Sequence, residues 1–155
     1  MQLRTLLGRR AMDICETGVK ARDVMHEGVQ CIGEHESLRV ASQMMCDLGV
    51  GALPICGDDD RLKGIITDRD IVVQCCAHGG DIDETTAGEL ARGLVWVDAD
   101  ASLEEALFKM EQNHVKRLPV IESHRLAGII SEADLAKELP DNKLAEFVHR
   151  VYALD

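Results

Sequence analysis

The sequence lacks both the long apolar runs of a membrane protein and the basic clusters of a nucleic-acid-binding protein. Its longest apolar runs, such as residues 94–97 and 71–73, fall far short of the roughly 20 residues that a membrane-spanning helix needs. The N-terminal segment has no sustained apolar centre or cleavage site of a secretory signal. Lys and Arg total 17 against 28 Asp and Glu, a formal net charge of −11. We therefore expect a cytoplasmic protein that binds neither nucleic acid nor membranes.

Catalytic and metal-binding patterns are also missing. No Ser-His-Asp arrangement or nucleophile elbow occurs, and we predict that the chain is not an enzyme. The histidines show neither the helical spacing nor the close Cys/His clustering of a zinc site. We expect no structural metal, although adventitious zinc on a surface histidine stays open. The acidic run Asp58–Asp60 lacks the spaced ligands of a calcium loop, so we interpret it as a turn.

All six cysteines lie in the first half of the chain, and no Cys-x-x-Cys motif occurs. A disulfide framework that held the whole fold would reach both halves, so free buried thiols are the default expectation. Cys31 and Cys56 are predicted on successive parallel strands, where a bridge between them is geometrically possible. A thiol redox function for this pair is the lowest ranked of three hypotheses.

The main positive feature is an internal repeat. Ser37, Ala41, Met45 and Pro54 have counterparts of the same type 65 residues later, and GIITDRD (Gly64–Asp70) is matched by GIISEAD (Gly128–Asp134). The offset falls to 64 in the second half of the repeat because one turn is a residue shorter there. A single copy of roughly 55 residues is marginal for independent stability, so the repeat predicts two copies that bury their sheets against each other.

Each copy is predicted to contain a strand, a helix, two further strands and a second helix. Ser37 and Ser102 are expected to cap the first helices, with a capping box between Ser102 and Glu105. Predicted strands in the first copy are GVQCIG, ALPIC and LKGIIT, and in the second copy LVWV, RLPVI and RLAGIIS. The last helices start at Thr67 and at Ser131.

These residues resemble a tandem pair of CBS domains, the arrangement named a Bateman module. The resemblance rests on ARDVM (Ala21–Met25), ALPI, RLPV and above all the two GII-x-x-x-D segments, and it covers residues 21–139. It implies an α/β (α+β) fold of two β-α-β-β-α domains packed sheet to sheet with pseudo-twofold symmetry. The predicted division is an N-terminal extension (1–20), a first domain (21–78), a connector (79–85), a second domain (86–140) and a helical tail (141–155).

The resemblance also implies clefts for adenosine-containing ligands such as AMP, ATP, NAD or S-adenosylmethionine. The ribose roles fall by position to Thr67 and Asp70 in the first copy and to Ser131 and Asp134 in the second. An ionised carboxylate suits a vicinal diol because it only accepts hydrogen bonds. Each pair is equally an ordinary helix cap.

Cations that directly precede the middle strand are present in the second copy, whereas in the first copy a contribution from Arg61, Lys63 or Arg69 stays open. Lys116 and Arg117 precede the middle strand of the second copy, whereas Gly51 and Ala52 hold the equivalent positions of the first copy. The two basic residues are as well explained as solvated surface residues. The two clefts are therefore not expected to be equivalent.

The tail has apolar residues at helical spacing, among them Phe147 and the single tyrosine, Tyr152. It packs either on its own domain or, as we favour, across a homodimer. The leading hypothesis is a stand-alone homodimeric sensor that needs no cofactor, takes an adenosine-type ligand and regulates an unidentified protein. The alternative is a ligand-free stress-response scaffold that acts through protein interactions.

Overall fold

The structure is a computed structural model in which residues 18–91 and 93–153 are described. The predicted N-terminal extension (1–20) lies outside the described residues except for its last three. The chain divides into two compact units. One contains residues 29–91, 93–94 and 124–126, and the other contains residues 18–28, 95–123 and 127–153. Within these described ranges, no helix combines the length and the apolar character needed to cross a membrane.

The first repeat forms a three-stranded sheet with helices. The strand that follows the long helix lies in the middle of the sheet, parallel to the first strand and antiparallel to the last. A π-helical turn (Ile71–Cys75) and a 3-10 turn (Cys76–His78) extend the last helix of the repeat. The strands are β2 (Ile32–Gly33), β3 (Ala52–Cys56) and β4 (Leu62–Thr67), and the helices are α2 (Leu38–Leu48) and α3 (Asp68–Asp70).

The second repeat has the same order of elements around a four-stranded sheet. Across this sheet the strands are β1 (His26–Glu27), β7 (Arg125–Ser131), β6 (Arg117–Glu122) and β5 (Val97–Asp98). Strands β5 and β6 are parallel, while β1 pairs antiparallel with β7. The helices are α5 (Leu103–Gln112), α6 (Glu132–Glu138) and α7 (Asp141–Val151). The predicted α/β fold class and the β-α-β-β-α order of each repeat are confirmed.

The long first helix of each repeat forms for the predicted reasons. Ser37 accepts a hydrogen bond from the backbone N–H of Val40, and Ser102 accepts one from Glu105. Gly49 ends α2 with φ of +64°, a conformation that glycine adopts without steric penalty. The predicted capping box at Ser102 is only half formed, because the Glu105 carboxylate lies 3.2 Å from Lys109 Nζ and forms an i,i+4 ion pair instead.

A short helix before each repeat joins the core of the other repeat's unit. Helix α1 (Ala21–Val24) belongs to the apolar core built from the second repeat. Helix α4 (Ala87–Leu90), which we assigned to the second domain, belongs to the core of the first repeat. The compact units therefore differ from consecutive stretches of sequence.

The tail forms helix α7 and packs on its own unit. Phe147 and Val151 are buried in the same apolar core as Met110, Leu118 and Leu135. Burial of Phe147 there removes it from the contact across a homodimer that the sequence favoured. Val148 and Tyr152 lie on the exposed side of the helix.

Candidate functional site

The first strand-to-helix junction joins Thr67, the last residue of β4, to Asp70 in α3. Asp70 Oδ2 accepts hydrogen bonds from the backbone N–H of Thr67 at 2.9 Å and from Thr67 Oγ1 at 2.6 Å. The backbone N–H of Asp70 donates in return to Thr67 Oγ1 at 3.1 Å. This reciprocal arrangement is a capping box, and it holds the carboxylate at the sheet edge where β4 ends.

The second oxygen of Asp70 is also engaged. Gln74 lies four residues later, and its Nε2 donates to Asp70 Oδ1 at 2.7 Å. Gln74 is not among the residues predicted for this junction, although its i+4 spacing on a helix is a usable signal. A ribose diol at this junction therefore has to share Asp70 with Gln74 or displace it.

The second junction repeats the capping box with one difference. Asp134 Oδ2 accepts hydrogen bonds from the backbone N–H of Ser131 at 2.9 Å and from Ser131 Oγ at 2.7 Å. Within residues 18–91 and 93–153, Oδ1 of Asp134 has no hydrogen-bond partner. The residue equivalent to Gln74 is Glu138, whose carboxylate has no proton to donate when ionised. The second carboxylate thus has one oxygen that accepts no hydrogen bond from the described residues.

The two predicted phosphate ligands lie at the start of β6, which neighbours β7 in the sheet. Arg117 is the equivalent of Ala52, and Ala52 is paired with Thr67 in the first repeat. Ser131 is the equivalent of Thr67, so Arg117 has the corresponding place beside the second junction. No carboxylate of the described part of the chain lies within ion-pair distance of Lys116 or Arg117.

Tyr152 links Lys116 to the second junction. The ammonium of Lys116 lies over the Tyr152 ring, 4.0 Å from its centroid. The Tyr152 hydroxyl donates to Oε2 of Glu132, the residue that follows Ser131, at 3.2 Å. In the first repeat the equivalent pair is Gly51 and Asp68, where an added Cβ on Gly51 would lie 3.2 Å from the Asp68 carboxylate. Tyr152 therefore lies between Lys116 and Glu132. Their counterparts in the first repeat, Gly51 and Asp68, contact each other directly.

Cys31 and Cys56 form a disulfide within the first repeat, with their Cα atoms 5.8 Å apart. Cys56 ends β3 and Cys31 directly precedes β2, the parallel neighbour of β3. Cys46, Cys75 and Cys76 are free thiols. The structure therefore brings together the two cysteines whose pairing the sequence left as a geometric option.

No metal centre is assembled in the described ranges, where no three His, Cys, Asp or Glu side chains come together as ligands. Asp58–Asp60 forms a turn as predicted, and Asp60 adopts a positive φ of 58°. The hydrogen bond from Lys63 lowers the pKa of Asp59, whose carboxylate also accepts from the backbone N–H of Arg61. The acidic run thus stabilises its own hairpin.

Comparison with known proteins identifies both repeats. The CBS domain model matches residues 21–74 and 87–141. Hypoxic response protein 1 of Mycobacterium tuberculosis is 54% identical over 132 residues, which are 84% of this chain and 92% of that protein. CBS domain-containing protein YhcV of Bacillus subtilis is 32% identical, with 80% and 88% of the two chains covered.

A solved structure agrees with these matches. The crystal structure of Hypoxic Response Protein I with two coordinated zinc ions is 56% identical and superposes with a TM-score of 0.74. The match covers 79% of this chain and 100% of the other. Because the family model matches each repeat and the relatives are covered almost whole, the chain belongs to the CBS-domain family and contains two CBS domains in tandem.

Proposed function

We propose that this CBS pair is a regulatory sensor that binds an adenosine-type ligand at one or both strand-to-helix junctions. The observation that carries the proposal is the duplicated hydroxyl and carboxylate pair, Thr67 with Asp70 and Ser131 with Asp134. Each carboxylate is fixed by backbone and hydroxyl donors at the end of a sheet strand, so its position is set before a ligand arrives. Fixed acceptors reduce the ordering penalty of binding a diol.

The second junction is the better candidate for a ligand that carries phosphate. Asp134 offers an uncommitted oxygen, and Lys116 with Arg117 supplies positive charge that has no carboxylate within ion-pair distance in the described ranges. Arginine recognises phosphate through two parallel N–H donors, and lysine binds it as a point charge. We assign no catalytic step to either junction, and location in the cytoplasm remains a prediction from the sequence.

Calorimetric titration tests the proposal. We expect heat of binding with at least one of AMP, ATP, NAD and S-adenosylmethionine for the wild-type protein. Asp134→Ala should abolish binding at the second junction, and Asp70→Ala together with Asp134→Ala should abolish it at both. The absence of binding heat for all four ligands would contradict the proposal.

The alanine variants also lose a helix cap, so a matched pair is needed. Replacement of Asp by Asn keeps a side-chain oxygen that accepts from the cap donors, while the charge is removed. Hydrogen bonds to charged groups contribute about 1.5–3 kcal/mol against about 1 kcal/mol for neutral ones. We therefore expect Asp134→Asn to remain folded and to bind the ribose-containing ligand about tenfold more weakly.

The alternative function, a ligand-free scaffold of the stress response, is favoured by one observation. Both carboxylates already act as helix caps, and Asp70 uses both of its oxygens within the protein. The scaffold predicts that purified protein releases no nucleotide and that the double Asp→Asn variant binds its protein partners normally. Mass spectrometry of small molecules released from the native protein separates the two functions.

We also propose that the sensor is a homodimer. Phe108 on α5 and Val72 are the most exposed large apolar side chains of the described residues, at 61% and 58%. Water contact with such side chains is unfavourable, and a second copy of the chain would remove it.

A further inference from the structure

Tyr152 has two contacts whose combination the fold does not require. Its ring lies under the Lys116 ammonium, and its hydroxyl donates to Glu132 next to Ser131. The side chain is 48% exposed, so burial of the ring in the apolar core does not explain these contacts. Phe147 and Val151 anchor α7 in that core, and Tyr152 directly follows Val151 at the end of the helix.

We propose that Tyr152 positions Lys116 for a phosphate group at the second junction and so makes this junction selective for phosphorylated adenosine ligands. The inference rests on the proposed function of Ser131 and Asp134. A lysine side chain that moves freely must be ordered when it binds an anion, which weakens binding. The ring of Tyr152 orders the ammonium beforehand.

The contact with the Tyr152 ring leaves the Lys116 ammonium able to bind a phosphate group. The ammonium carries three N–H donors, and one ring face covers only one side of the group. In the described residues no carboxylate lies within ion-pair distance of Lys116 to compete for those donors. An aromatic ring holds a cation without neutralising its charge, whereas a carboxylate would cancel the attraction for phosphate.

The first repeat has no equivalent of the contact between Lys116 and Tyr152 among its described residues. Gly51 stands where the second repeat has Lys116, and its carbonyl oxygen accepts a hydrogen bond from the backbone N–H of Asp68 at 3.0 Å. We therefore expect a phosphate group on the ligand to increase affinity at the second junction. At the first junction, Gly51 has no side chain that could give the same increase.

The test compares AMP with adenosine by calorimetry, in an Asp70→Ala background in which binding at the first junction is removed. Tyr152→Leu removes the aromatic face and keeps an apolar side chain, and Tyr152→Phe keeps the face and removes only the hydroxyl. We expect Tyr152→Leu to weaken AMP binding about two- to fivefold, the range of an exposed cation–π contact. Adenosine binding should be unchanged, and Tyr152→Phe should bind AMP like the parent.

A second substitution separates positioning from a general structural effect. When Lys116→Met is already present, Tyr152→Leu should cause no further loss of AMP affinity, because the two residues act through one contact. Equal weakening of AMP and adenosine by Tyr152→Leu would overturn the inference. So would additive losses with Lys116→Met, or a Tyr152→Phe variant that behaves like Tyr152→Leu.

The NMR signals of the Tyr152 ring give a second measurement, which is made on proteins that keep Tyr152 and so does not depend on the folding of its variants. Tyr152 is the single tyrosine of the chain, so its ring signals are assigned by composition. AMP should shift them in the parent protein and not in Lys116→Met, and adenosine should leave them in place. Unshifted signals on saturation with AMP overturn the inference, while a parent that binds neither compound overturns the proposed function as well.

Discussion

At the scale of single residues, the pair of Arg39 and Asp83 shows how a surface contact sets a pH response. Arg39 lies on α2, and Asp83 lies in the predicted connector. Arg39 Nη2 donates to Asp83 Oδ2 at 2.7 Å, and Nε donates to Oδ1. The hydrogen bond from Arg39, followed by the attraction of its charge, lowers the pKa of Asp83 below the ordinary 3.8. Folding therefore favours the ionised carboxylate.

We expect Asp83→Asn to lower the free energy of unfolding at neutral pH and to have less effect in acid. A lowered pKa stabilises the folded state above the unfolded value, and this contribution is lost as pH falls through the folded value. Urea denaturation of both proteins between pH 7 and pH 3 measures the difference. In an Arg39→Met background the Asp83→Asn effect should vanish at every pH. A difference that does not change with pH would contradict the prediction.

The positions of Thr67, Asp70, Ser131 and Asp134 were predictable because a helix cap depends on residues three apart. Their ligand-binding roles remain predictions. Gln74 was also within reach, since it lies one helical turn after Asp70. Tyr152 was not predictable, because its partner Glu132 is 20 residues away and no local pattern joins them.

At the scale of elements, the second and third strands of each repeat were predictable to within one residue. β3 (Ala52–Cys56) and β4 (Leu62–Thr67) match the predicted ALPIC and LKGIIT. The first strands are shorter than predicted, with β2 restricted to Ile32–Gly33 and β5 displaced to Val97–Asp98. The four-residue helices α1 and α4 are too short to show a period, and which core they join depends on tertiary contacts.

The disulfide that links the start of β2 to the end of β3 should stabilise the first repeat. Cys31 and Cys56 are 25 residues apart, and closure of such a loop restricts the unfolded chain by about 3 kcal/mol. Cys31→Ser with Cys56→Ser should lower the free energy of unfolding under oxidising conditions by about that amount. Denaturant titrations with and without dithiothreitol measure it, since the reductant should remove the difference.

The exposed free thiols provide the matched control for this prediction. Cys46→Ser with Cys76→Ser should leave both the stability and its dependence on reductant unchanged. Thiol counting gives a second check, because a bond between Cys31 and Cys56 leaves at most four of the six cysteines to react in denaturant without reductant. Six reactive thiols in protein purified without reductant would show that the bridge does not form.

At the scale of the whole molecule, charge and apolar exposure act in opposite directions on association. The net charge of −11 keeps copies of the chain apart, and this repulsion weakens as salt screens it. Exposed Phe108 has Glu104 beside it on α5, and Glu104 has no ion-pair partner in the described ranges, whereas the neighbouring Glu105 and Glu111 pair with Lys109 and Arg150. Self-association through this helix face should therefore strengthen with ionic strength.

Light scattering after size exclusion tests the proposed homodimer through this face. We expect a mass of twice 17.0 kDa for the wild type. Phe108→Glu should raise the dimer dissociation constant at least about tenfold, because it adds a charge that must be desolvated beside like charges. Phe108→Leu keeps an apolar side chain and should remain dimeric. If Phe108→Glu dimerises like the wild type, this face of α5 is not the contact, because a buried pair of carboxylates could not leave the equilibrium unchanged.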